Sequence, residues 1–263
     1  MLTNTVVLFL RDLLPMFIMF AYLSSVHHSF VQGKWQGMLV IGLSLLLSVI
    51  ALFQYENISD LFEGTGIEWL KISFISLAFC VFVLVYVKSL APVKNILIGL
   101  ACLLLLVVHI SSFLLYFTIY FANTDLIYEL IIGCAIGIGI CVSFYFLFSF
   151  IVQELWQSKF SSLVLVLWSL FVANQLSLVA NYLHQIDLVD FGTASLTNVS
   201  GWIDEDSEYG VIVKVLTGFD ATPSVLYGLL ISIGFIVILG ASLSSRILRK
   251  TNVNKRSMLG ESS

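Results

Sequence analysis

Charge is scarce in this sequence. Asp, Glu, Lys and Arg make up 11% of its 263 residues against 59% apolar, and mean hydropathy is +1.03. A water-soluble fold of this length has no interior large enough to hide so much apolar surface. Catalytic and nucleotide signatures are also missing: there is no P-loop, no GxSxG, no HExxH and no basic patch laced with aromatics. That excludes the common hydrolase and nucleotide-binding classes and nucleic acid as a partner, and a non-enzymatic role is expected. No CxxC or Cys/His ligand spacing occurs, since Cys80, Cys102, Cys134 and Cys141 all fall within apolar stretches. Cys134 and Cys141 share a helical face but stand two turns, about 10 Å, apart, too far for a disulfide. The first apolar stretch lacks the basic flank of a signal peptide and carries Arg11 and Asp12 in its middle, so it is expected to remain in the mature protein.

What is present is a series of apolar runs of roughly 18 residues or more, the length a helix needs to cross a hydrocarbon core. Lipid offers the backbone no hydrogen-bond partner, so such runs must be helical. The fold class expected is all-α: a polytopic membrane protein with spans at Val6–Ser24, Gly37–Gln54, Glu68–Val87, Asn95–Tyr120, Glu129–Ile151, Ser161–Leu183 and Val225–Leu243. Residues 1–245 form the membrane domain, with an outer acidic loop at 184–224, and residues 246–263 a basic tail.

Lys and Arg set the expected orientation. With the N-terminus outside, the inner segments hold Lys34, Lys88, Lys94 and Lys159, and the tail holds Arg246, Arg249, Lys250, Lys255 and Arg256, while the outer loops hold only Lys214. A cytoplasmic C-terminus in a bacterial inner membrane or a plasma membrane is expected. The carboxylates gather on the other side, most densely at Asp204, Glu205, Asp206 and Glu208. That cluster reads either as an ordinary solvated loop or as a vestibule that concentrates hard cations.

Ionisable residues inside spans carry more information, because each costs several kcal/mol unless it faces a partner or a cavity. Arg11 and Asp12 precede Pro15, whose ring displaces the backbone carbonyl of Arg11 beside the Asp12 carboxylate. His109 lies near the middle of the fourth span, able to ligate a metal, relay a proton or bond a neighbouring helix. Glu68 and Lys71 open the third span, close enough to water for an interfacial role. Gly133, Gly137 and Gly139 form a small-residue face in the fifth.

The order of these features resembles the oxidase-dependent iron permeases, also described as high-affinity iron/lead permeases, over nearly the whole chain. Arg11-Asp12-Leu13-Leu14-Pro15 stands where that family has Arg-Glu-Gly-Leu-Glu. Gly33-Lys34-Trp35-Gln36-Gly37 resembles its basic inner turn, and Glu68 the acid opening its third span, with Glu63-Gly64 a competing match. The most specific likeness is Val199-Ser200-Gly201-Trp202, an acidic run, Ser207, Gly210, Leu216-Thr217-Gly218-Phe219 and Ala221-Thr222-Pro223-Ser224-Val225. The family's second motif copy is degenerate here, reading Val108-His109-Ile110-Ser111-Ser112 without a carboxylate. The resemblance implies a 3+3 inverted repeat followed by a seventh helix. It also implies transport of iron, Fe³⁺ rather than Fe²⁺, as cargo with no bound cofactor, and an extracytoplasmic oxidase, cupredoxin or iron-delivery protein as partner. The metal positions expected are Asp12 and the Arg11 carbonyl, His109, Glu68, and the outer Asp204, Glu205, Asp206 and Glu208. A non-transporting relative, acting as a sensor or accessory subunit, and a permease for another cation are the alternatives.

Overall fold

The computed structural model describes residues 2–26, 34–87, 93–121, 127–187 and 207–260. Among the described residues there is no strand, and seven helices are long and apolar enough to cross a bilayer. They are α1 Leu2–Val26, α2 Lys34–Phe53, α3 Gly66–Val85, α4 Lys94–Phe121, α5 Ile127–Gln157, α6 Ser161–Gln185 and α7 Val225–Gly260. The chain is an all-α, polytopic integral membrane protein, and each expected span falls on one of these helices. The tail expected from Arg246 onwards continues α7 as helix to Gly260. Glu63 lies in an exposed turn, Leu61–Gly64, before α3. Between α6 and α7 a shorter loop helix runs from Glu208 to Thr217.

Burial separates the helices into a hub and a rim. The spans of α1, α6 and α4 are 71%, 67% and 56% buried, whereas that of α2 is only 11% buried and presents Met38, Leu39 and Leu46 outwards. In lipid an exposed leucine costs nothing, so packing quality and polar contacts, not apolarity, decide which helices sit inside. The hub helices carry Asp12, His109, Asn174 and Gln175, among the described residues the buried polar ones larger than serine or threonine.

Helix pairing crosses the two halves of the chain. α5 packs chiefly on α1 and α2 chiefly on α4, while α1 meets α4 and α3 meets α6. This exchange is the pattern that a 3+3 inverted repeat of α1–α3 and α4–α6 would give. The close α3–α4 packing has no equal between α1 and α6. There the loop helix packs on both α1 and α6.

The α1–α5 contact depends on two glycines. A Cβ on Gly133 would come within 2.8 Å of Thr5 Cγ2, and one on Gly137 within 2.8 Å of Phe9 Cβ, whereas one on Gly139 would meet nothing within 4 Å. Towards the Val26 end of α1 the bundle is filled by aromatic rings. Tyr22 meets Phe148 and Trp168 edge-on at 5.2 and 5.3 Å between centroids, and Trp168 meets Phe82 at 5.4 Å. Gly137→Leu should therefore force α1 and α5 apart and cost about 1–3 kcal/mol by overpacking, while Gly139→Leu should leave stability at the parent value. Unfolding of the detergent-solubilised variants checks this, and equal stabilities would contradict the assigned contact.

Candidate functional site

The site is built around a carboxylate that helix α1 carries into the bilayer. Asp12 is 6% exposed; its Oδ1 accepts a hydrogen bond from Arg11 Nε at 3.2 Å, and its Oδ2 is buried with no partner. An ionised oxygen left bare in a low-dielectric interior is costly, and it persists only where neighbouring charge or a ligand compensates it. Pro15 lies within the same unbroken helix and supplies no N–H, so the Arg11 carbonyl also lacks its usual intrahelical donor.

Side chains of α3, α4 and α6 lie near this carboxylate or near Arg11 beside it. The Arg11 guanidinium lies 5.0 Å from the ring centroid of Tyr116 on α4, and the Lys71 ammonium of α3 lies 5.2 Å from that of Tyr182 on α6. Both are cation–π geometries, which hold a cation in place without neutralising it. Asp12, Arg11 and Lys71 are within electrostatic reach of one another and of His109, and Glu68 stands one turn before Lys71 at the rim. Ser112 of α4 donates to the Val108 carbonyl of its own helix at 3.1 Å. Arg11, Asp12 and Lys71 occupy the half of the bundle where α1 and α3 begin, and the aromatic rings around Tyr22 fill the other half.

His109 sits deeper, at the middle of α4, 9% exposed. Its Nε2 is 2.9 Å from Gln175 Oε1 on α6. A carboxamide oxygen only accepts, so in this arrangement a neutral ring donates from Nε2 and leaves the Nδ1 lone pair for a ligand. The crevice beside the pair, lined in part by Pro15, Met19 and Phe171, is too narrow for a water molecule.

Next to Gln175, Asn174 performs a second task. Its Nδ2 donates to the carbonyls of Lys214 and Val215 at 2.9 and 3.2 Å, satisfying the C-terminal end of the loop helix. The Tyr227 hydroxyl of α7 lies 3.1 Å from Asn174 Oδ1 and 3.0 Å from the Gly218 carbonyl, its proton shared between them. Gly218 ends the helix at φ 70°, and an added Cβ would stand 3.2 Å from that of Asn174, so both its backbone and its closeness require glycine. Ser207 caps the other end by accepting from Gly210 N at 3.0 Å, and Lys214 pairs with Asp220 at 2.8 Å.

Of the expected site residues, Arg11, Asp12 and His109 share one neighbourhood and Glu68 lies at its edge. Asp204, Glu205 and Asp206 lie outside the described residues, and Glu208 begins the loop helix. Among the described residues no three of His, Cys, Asp and Glu converge as a group able to hold a metal ion. Sequence reasoning missed Tyr116, Tyr182, Asn174 and Gln175 and left Lys71 at the interface. The signal for the amides was visible, two adjacent carboxamides in mid-span, which lipid tolerates only when bonded. Comparison of the chain with protein-family models, with curated proteins and with solved structures gives no match.

Gln175→Leu strands the imidazole N–H and should lower stability by about 1 kcal/mol. His109→Leu with Gln175→Leu should recover most of that loss, because neither polar group is then left unpaired. Thermal unfolding in detergent measures both, and additive losses would contradict the bond.

Proposed function

We propose that the chain moves a cation across the membrane by way of Asp12 and, on its resemblance to the iron permeases, that this cation is iron. The observation that carries the reading is the unpartnered Asp12 Oδ2, buried on the most buried of the seven spans. A carboxylate oxygen is the ligand a hard cation prefers, and a buried oxygen without a donor gains most from receiving one. In this reading Asp12 is the first intramembrane ligand, the Arg11 carbonyl sits one residue before it, and His109 Nδ1 receives the ion deeper in the bundle. The orientation inferred from Lys and Arg places Asp204, Glu205, Asp206 and Glu208 outside, where they gather cations. An extracytoplasmic oxidase, cupredoxin or iron-delivery protein supplies the ion there. The chain then catalyses no covalent step.

One observation favours a second reading, a sensor or accessory subunit on a permease scaffold. Fewer than three metal-ligating side chains converge among the described residues, whereas a resident multivalent ion ordinarily takes four or more donors. A transient cargo needs fewer fixed ligands than a resident ion, which keeps transport the preferred reading.

Radiolabelled iron uptake in cells lacking their other iron importers tests the choice. The chain should raise uptake well above the empty strain, and Asp12→Asn, which keeps the shape of the side chain and removes its charge, should return it to background at unchanged expression. Parent-level uptake in Asp12→Asn would reduce Asp12 to a salt partner of Arg11. No uptake by the parent would leave the sensor reading.

A further inference from the structure

We infer that the cargo reaches Asp12 still carrying oxyanion ligands of its own, so that Asp12 and the two cations beside it bind a metal–oxyanion complex and not a bare or hydrated ion; this rests on the transport reading above. The inference comes from the charges that surround the free oxygen. By formal charge Arg11 and Lys71 balance Asp12 and Glu68, so these four residues offer no net charge to an arriving cargo. A bare trivalent ion would add three uncompensated charges where water does not screen them, with two fixed cations close by. Hydration does not remove that charge.

The two cations are also placed to receive an anion. Among the described residues no carboxylate lies within 4.0 Å of the Lys71 ammonium, although Asp12 and Glu68 are both near enough to feel it. The Tyr182 ring holds it instead, and the Tyr116 ring holds Arg11 on the neighbouring helix. Arg11 bonds Asp12 through Nε, so the guanidinium keeps terminal N–H donors, and its side chain is 51% exposed. A guanidinium fork and an ammonium together are a common oxyanion-binding pair. A ligand that fills the site must therefore offer negative oxygens to Arg11 and Lys71 and an electrophilic metal to Asp12 Oδ2. A metal ion ligated by carboxylate, phosphate or hydroxide oxygens meets both demands.

Full-length protein in detergent is melted with three probes: gallium(III) citrate, a redox-inert stand-in for the ferric complex; citrate alone; and hydrated Fe²⁺ kept reduced. Gallium citrate should raise the midpoint by several degrees in the parent and in Lys71→Arg, and neither citrate alone nor Fe²⁺ should match it. Lys71→Met should lose the shift while melting as a folded protein on its own. Equal stabilisation by hydrated Fe²⁺, or an undiminished shift in Lys71→Met, would overturn the inference and leave iron transport standing. A shift with citrate alone to which gallium adds nothing would overturn the metal part. No response to any probe overturns the inference when cells still take up iron, and removes the transport reading with it when they do not.

Discussion

A single unpaired carboxylate oxygen in the bilayer interior constrains the rest of this molecule. Asp12 has one oxygen bonded to Arg11 and the other bonded to nothing, and lipid cannot approach such a group without a penalty of several kcal/mol. Helix α1 is accordingly the most buried of the seven spans, wrapped by α5, α4 and the loop helix. Lys71 and Arg11 provide opposite charge nearby, and tyrosine rings on α4 and α6 hold those cations. The arrangement lowers the cost of the buried charge without satisfying its free oxygen, which is why that oxygen reads as a binding point.

The surrounding scaffold has the features a mid-membrane site needs. Gly133 and Gly137 let α5 close against α1 along the segment that precedes Asp12. Asn174 and Gln175, adjacent on α6, connect opposite features. One holds the loop helix at its C-terminal carbonyls, and the other holds His109 by its ring N–H. Movement of the loop helix therefore bears on the residue next to the His109 partner. The rings of Tyr22, Phe82, Phe148 and Trp168 pack together towards the far end of α1, away from the end where Asp12 and Lys71 stand.

Much of this was legible in the residues. The spans follow from apolar length alone, because a helix in lipid needs no partner to be helical. The close face of α5 follows from the four-residue spacing of Gly133 and Gly137, and Arg11, Asp12 and His109 stand out through the rarity of ionisable residues in a span. Lys71 reads as interfacial from its position five residues into α3, where snorkelling is open to it, and its nearness to Asp12 is visible only in the fold. Tyr116 and Tyr182 gave no signal, because a tyrosine near the end of a span is ordinary belt composition. The Asn174 clasp was hidden for a different reason. Its partners are backbone carbonyls of a segment forty residues away, and backbone groups leave no mark in a sequence.

The binding role of Asp12 is open to direct observation through its carboxylate vibration. Infrared difference spectra of the purified protein, recorded on adding gallium citrate, should show a shift of a carboxylate stretching band that disappears in Asp12→Asn and survives in Glu68→Gln. A ligand-induced band that persists unchanged in Asp12→Asn would place the ion elsewhere and contradict the central role given to the free oxygen of Asp12.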